Sequence, residues 1–128
     1  MFFIPNPYAD NVHLATAVFL EMPSFEHYRA AFLEDGDLRA LQLMLMQNPL
    51  MGDVIQGTAG LRKARIADSR RQKGRRGGLR FIYYWWSEQR QFWLFVLYDK
   101  DTQDDLTVVQ KRQLKHMLDG ELRARKTL

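Results

Sequence analysis

The sequence predicts an α+β domain: a small twisted antiparallel sheet of about four strands, an N-terminal helical hairpin and a C-terminal helix. Three observations carry this. Two strongly apolar runs, Leu79 to Trp86 and Gln91 to Tyr98, are separated only by Ser87-Glu88-Gln89-Arg90, the pattern of a β-hairpin. Two stretches with apolar residues at helical spacing lie back to back between Pro23 and Asn48-Pro49. A further helix is announced by Thr107, with Gln110 three residues on as in a capping box.

Taken in order, residues 1–13 are rich in Pro and Asn and are expected to be a peripheral extension of one domain spanning residues 1–128. His13 to Glu21 contains a β-prone run and reads as the first strand. Ser24 is placed to cap a helix from Phe25 to about Leu33, with Phe25, Tyr28 and Phe32 on its apolar side. Gly36 is expected to break that helix. Asp37 is expected to cap the next, in which Leu38, Leu41 and Leu45 form one stripe with Met44 beside it. Residues 51–60, with three glycines, read as a loop, and Leu61 to Ala67 as a strand. On that strand Lys63, Arg65 and Ala67 share one face, and Arg62, Ala64 and Ile66 the other. The hairpin strands are apolar on both faces, so they belong at the centre of a sheet covered on each side. Leu114, Met117, Leu118 and Leu122 are the expected buried stripe of the last helix.

Composition narrows the function classes. The hydrophobic fraction is 46%, that of a folded chain. With no cysteine there is no disulfide, thiolate metal site or Cys nucleophile, as suits a reducing compartment. The start lacks a basic n-region and Pro5 and Pro7 break it early, so no signal peptide is expected. No apolar run approaches the roughly 20 residues of a membrane span. The expectation is a cytoplasmic protein with no membrane partner. The histidines, His13, His27 and His116, are scattered, and the Asp99–Asp105 turn lacks the Gly and Glu of a calcium loop, so no metal or cofactor is expected.

Charge is distributed unevenly. The net charge is +4, yet residues 62–80 hold nine basic residues and one acid, a local +8. Such a segment repels itself unless a polyanion neutralises it, and nucleic acid is the obvious one. Arg80 sits within an apolar strand, where a buried guanidinium needs a partner; phosphate fits its planar fork. Tyr83, Tyr84, Trp85, Trp86 and Tyr98 could stack on bases, although aromatics of central strands more often fill a core. With Lys, Arg and Tyr as the available chemistry, a metal-independent ribonuclease is feasible, because RNA supplies its own 2′-OH nucleophile.

The blocks Asn48-Pro49, Gly52-Asp53-Val54-Ile55-Gln56-Gly57-Thr58-Ala59-Gly60-Leu61-Arg62-Lys63-Ala64-Arg65, Gly74 to Trp85, Tyr98-Asp99-Lys100 and Gln103 to Thr107 occur in a characteristic order. In this they resemble the HigB-type toxins of the RelE/ParE superfamily, the toxin half of bacterial type II toxin–antitoxin pairs. The likeness spans about residues 14–122. It implies ribosome-dependent mRNA cleavage, a cognate HigA-like helix-turn-helix antitoxin, and operator DNA bound only through the antitoxin complex. By position, the resemblance marks Lys63, Arg65, Arg80 and Tyr98 as catalytic; it leaves the proton donor open, with Tyr98 the candidate. Arg62, Arg70, Arg71, Lys73, Arg75, Arg76 and Lys100 are the expected RNA- and ribosome-binding residues. RelE toxins proper have an aromatic residue just past the last strand; here that stretch is Gln103-Asp104-Asp105-Leu106. Two other functions stay open on this fold: a ParE-like gyrase inhibitor, and an RNA or ribosome binder without activity.

Overall fold

The computed structural model describes residues 2–5, 16–67, 78–101, 103 and 105–126. The elements are β1 (Phe2–Pro5), β2 (Thr16–Glu21), α1 (Pro23–Phe32), α2 (Asp35–Gln47), β3 (Asp53–Val54), β4 (Arg62–Ile66), β5 (Leu79–Trp86), β6 (Gln91–Asp99) and α3 (Val108–Lys126). The class is α+β as expected. The sheet is larger than expected, with six strands in the order β1-β2-β6-β5-β4-β3. It is also mixed, because β2 runs parallel to β6 while every other pairing is antiparallel.

The extra strands have local causes. Residues 2–5 fall within the segment expected to be peripheral, yet they form the edge strand β1. Phe2-Phe3-Ile4 is β-prone, and Pro5, which has no N–H, is tolerated on an edge. The two-residue β3 pairs with β4 at Asp53↔Lys63 and Val54↔Arg62. Both helices of the hairpin begin earlier than their expected caps. Pro23 occupies the first turn of α1, where its fixed φ suits a helix, and Met22 takes the cap position in place of Ser24. Glu34 caps α2, and Asp37 is the reciprocal member of a capping box, its carboxylate accepting the Glu34 N–H at 3.0 Å. Gly36 therefore lies inside the first turn of α2 instead of breaking a helix. The capping box of α3 forms as predicted: the Gln110 N–H donates to Thr107 Oγ1 at 3.1 Å, and the Thr107 N–H to Gln110 Oε1 at 2.9 Å.

Each face of the sheet has its own core. Leu79, Phe81 and Tyr83 of β5 pack with Phe25, Leu38, Leu41 and Leu45 of α1 and α2. The alternate residue Ile82, with Trp93 and Phe95 of β6, packs under Leu114 and Leu118 of α3. The hairpin strands are central and covered on both sides, as their composition predicts. Met117, expected in the buried stripe of α3, is 40% exposed. Among the described residues no helix is long and apolar enough to cross a membrane.

A clamp fixes the connection that leads into β4. The Tyr83 hydroxyl donates to the Pro49 carbonyl at 2.7 Å and accepts the Gly52 N–H at 3.1 Å. Arg62 reinforces the same segment through Nη1, donating to the Gly52 carbonyl at 2.7 Å. A Cβ on Gly52 would come within 2.9 Å of the Lys63 carbonyl oxygen, so the close approach of the chain here requires glycine. Removing the hydroxyl with Tyr83→Phe leaves the Gly52 N–H without its acceptor. The expected loss is about 1–3 kcal/mol, read from the shift of a urea unfolding midpoint at constant slope.

Candidate functional site: a cationic row on the sheet

The strand register assembles the site. Arg65 of β4 lies opposite Arg80 of β5, and Arg80 lies opposite Tyr98 of β6, so three predicted residues form one row across three strands. Arg80 alternates with Leu79 and Phe81, which face α1 and α2, and so the row lies on the α3 side of the sheet. Lys63 is one step along the same face, opposite Ile82.

A one-residue irregularity in β6 makes this row possible. Tyr83 pairs with Leu94 and Ile82 with Val96, which leaves Phe95 as the extra residue of a β-bulge. Phe95 and Val96 then both belong to the core beneath α3, and Tyr98 joins them there.

Exposure grades across the row. Arg80 is 4% exposed and Tyr98 8%, whereas Arg65 is exposed and Lys63 half-buried. A guanidinium so deeply set costs folding free energy unless hydrogen bonds meet it. Arg80 Nη1 donates to its neighbour's carbonyl, that of Leu79, at 3.4 Å. The surrounding strands hold the group in place, and it opens into a pocket of about 380 Å³ lined by Met51, Asp53, Lys63, Ala64, Arg65 and Arg80. A neighbouring pocket of about 210 Å³ shares Asp53 and Lys63 and adds Asp105, Leu106 and Lys111.

Lys63 has a partner that sequence reading missed. Its Nζ lies 3.3 Å from Asp105 Oδ1, and the Leu106 N–H donates to that same oxygen at 2.7 Å. The Leu106 N–H first, then the hydrogen bond and charge of Lys63 and the charge of Lys111, hold the Asp105 carboxyl below the usual carboxylate range. The signal in the sequence was weak: an acidic turn that could serve nearby cations, 42 residues away in the chain.

The other predicted residues are placed unevenly. Tyr98 stands beside Arg80 in register but lines a different, more apolar pocket of about 400 Å³ between α1 and α3, with Tyr28, Phe95, Leu106 and Met117. Arg62 is engaged with the loop before β4, bonding the Leu50 and Gly52 carbonyls. Lys100 is half-buried just past β6, its N–H directed at the Gly78 carbonyl at 3.5 Å. Arg70, Arg71, Lys73, Arg75 and Arg76 lie outside the described residues. The aromatics of β5 are packing groups: Tyr83 is buried, Trp85 stacks on Phe92 at 4.3 Å between centroids, and Trp86 meets Trp93 edge-on. Among the described residues no three His, Cys, Asp or Glu side chains gather to hold a metal.

The Lys63–Asp105 contact has a definite pH signature. Because the folded-state pKa of Asp105 is lowered, its contribution to stability is present above the ordinary value of 3.8 and is lost as pH falls through the folded value. An NMR titration of Asp105 should have its midpoint below 3.8. In Lys63→Met the midpoint should rise only part of the way back, because the Leu106 N–H remains.

No protein-family model matches the chain. Among solved structures it is similar to the free state of E. coli toxin RelE carrying two arginine-to-alanine substitutions. The two chains share 13% identity, the match covers 69% of this chain and 87% of that one, and the TM-score is 0.46.

Proposed function

We propose that this chain is a HigB-like toxin of a type II toxin–antitoxin pair that cleaves mRNA on the ribosome without a metal. One observation carries the reading: Lys63, Arg65 and Arg80, singled out by the sequence, line a single pocket, with Arg80 buried in a central strand and Arg65 and Lys63 open to a ligand.

The chemistry follows from those groups. The 2′-OH of RNA attacks the adjacent phosphorus, the 5′ oxygen leaves, and the products are a 2′,3′-cyclic phosphate and a 5′-OH. Charge builds on the non-bridging oxygens as the phosphorane forms. Arg80 and Arg65, opposite one another on paired strands, hold that charge with donors already in place. Lys63, an ammonium paired with Asp105, supplies the proton that the leaving 5′ oxygen takes up, and the 2′-OH proton passes to solvent water. The other cations of the segment 62–80 hold the flanking RNA backbone. A cognate HigA-like antitoxin covers this basic surface in the resting cell, and the pair is carried in the cytoplasm.

A second reading is an RNA or ribosome binder without activity. It is favoured by Tyr98, which lines the pocket between α1 and α3 and not the one with the cations, so that among the described residues no phenol lines the cationic pocket.

Cleavage of mRNA on programmed ribosomes decides between them. Wild type should cleave, with naked RNA left intact. Arg80→Ala should lose on the order of 10²–10³ in rate while still binding ribosomes. Equal cleavage by Arg80→Ala would overturn the assignment of the site, and ribosome binding without cleavage by the wild type would establish the binder.

A further inference from the structure

The positive charge of this chain is in two places. Residues 62–80 hold +8, and α3 holds six basic residues against two acids, a further +4. The remaining 90 residues hold four basic and twelve acidic residues, or −8. The total of +4 conceals this separation.

Folding brings α3 and three cations of the first part, Lys63, Arg65 and Arg80, to one side. α3 packs on the sheet face that carries Lys63, Arg65 and Arg80, whereas α1 and α2, with residues 23–47 at a net −2, cover the opposite face. Among the described residues the α3 side of the sheet is therefore the more basic.

Within α3 the acids are already engaged. Asp119 pairs with Lys115 at 2.9 Å and Glu121 with Arg125 at 3.6 Å. Arg112, Arg123 and Lys126 are exposed. They follow one another at helical spacing, with His116 and Asp119 between them on the same stripe. The Asp119 carboxyl is held low first by Lys115 and then by Arg123 and His116, which places these groups in mutual electrostatic reach. From Arg112 to Lys126 the stripe runs about 21 Å at 1.5 Å per residue, long enough to follow several phosphates of a strand.

We infer that the outward face of α3 is a second RNA-docking surface, gripping a structured RNA backbone of the ribosome separately from the strand held in the cationic pocket. RNA is chosen over an acidic membrane because the stripe from Arg112 to Lys126 is polar throughout, and Leu114 and Leu118 are buried in the core. The choice of RNA over other polyanions rests on the proposed function. The surface selects by charge and spacing and reads no bases.

The test is binding of the full chain to purified bacterial 70S ribosomes across a salt series. Arg112→Gln with Arg123→Gln should weaken binding at least tenfold. The slope of log K against log salt should become shallower by about 1.5, as expected for two lost phosphate contacts. Arg112→Lys with Arg123→Lys should keep the wild-type slope, and circular dichroism should show an intact helix in both. Unchanged ribosome affinity and slope in the glutamine variant would overturn the inference. So would a loss confined to anionic phosphatidylglycerol vesicles or to duplex DNA. The two proposals fail separately. A wild type that never cleaves but binds ribosomes through α3 retains this surface and loses the nuclease; a glutamine variant that binds as wild type does the reverse.

Discussion

The basic end of this protein depends on the pairing of β5 between β4 and β6. A central strand has no freedom to slide, because a shift of one residue would turn Leu79, Phe81 and Tyr83 out of one core and bring Arg80 into it. That constraint sets Arg80 on the α3 side, opposite Arg65 on one flank and Tyr98 on the other. The guanidinium gains a fixed position from two hydrophobic cores to which it contributes nothing. Positional rigidity of this kind is what electrostatic stabilisation of a developing charge requires, since a donor that must reorganise loses much of its effect.

The conspicuous sequence blocks divide between folding and chemistry. Gly52, Gly60 and Arg62 belong to the former. Gly52 permits a backbone approach, and Gly60, at φ +122°, adopts a conformation that a side chain would strain. Arg62 is a brace for the loop before β4. Lys63 and Arg65, the next basic residues, face away from that brace and toward the pocket. Strand alternation, and not overall basicity, separates the structural arginine from the candidate functional ones.

Legibility in the sequence followed the range of the interaction. The β5–β6 hairpin, the two covered faces of the sheet and the capping box of α3 are local or periodic, and each was readable. The parallel pairing of β2 with β6 was not, because it joins residues more than 70 apart in the chain and leaves no trace in either strand. β1 was hidden by the prolines around it. The site was half legible: charge pattern named Lys63, Arg65 and Arg80, but their shared pocket depends on register, and the Asp105 partner of Lys63 depends on how the chain returns after β6. The basic character of α3 as a whole is masked in the totals, because acids elsewhere cancel it.

The bulge at Phe95 changes which residues can be compared between chains. In an uninterrupted ladder continuing from Tyr83↔Leu94, Arg80 would stand opposite Leu97, and Tyr98 would stand opposite Leu79. The extra residue moves a phenol beside the guanidinium and sends Leu97 to the core on the other face. An alignment that matches this strand to an unbulged one residue for residue would equate Tyr98 with an apolar position and assign its role to the wrong neighbour. Deleting Phe95 would remove the bulge and leave Tyr98 opposite Arg80, whereas pairing Phe95 with Ile82 would bring Leu97 there instead, so the one extra residue decides which side chain stands next to the guanidinium.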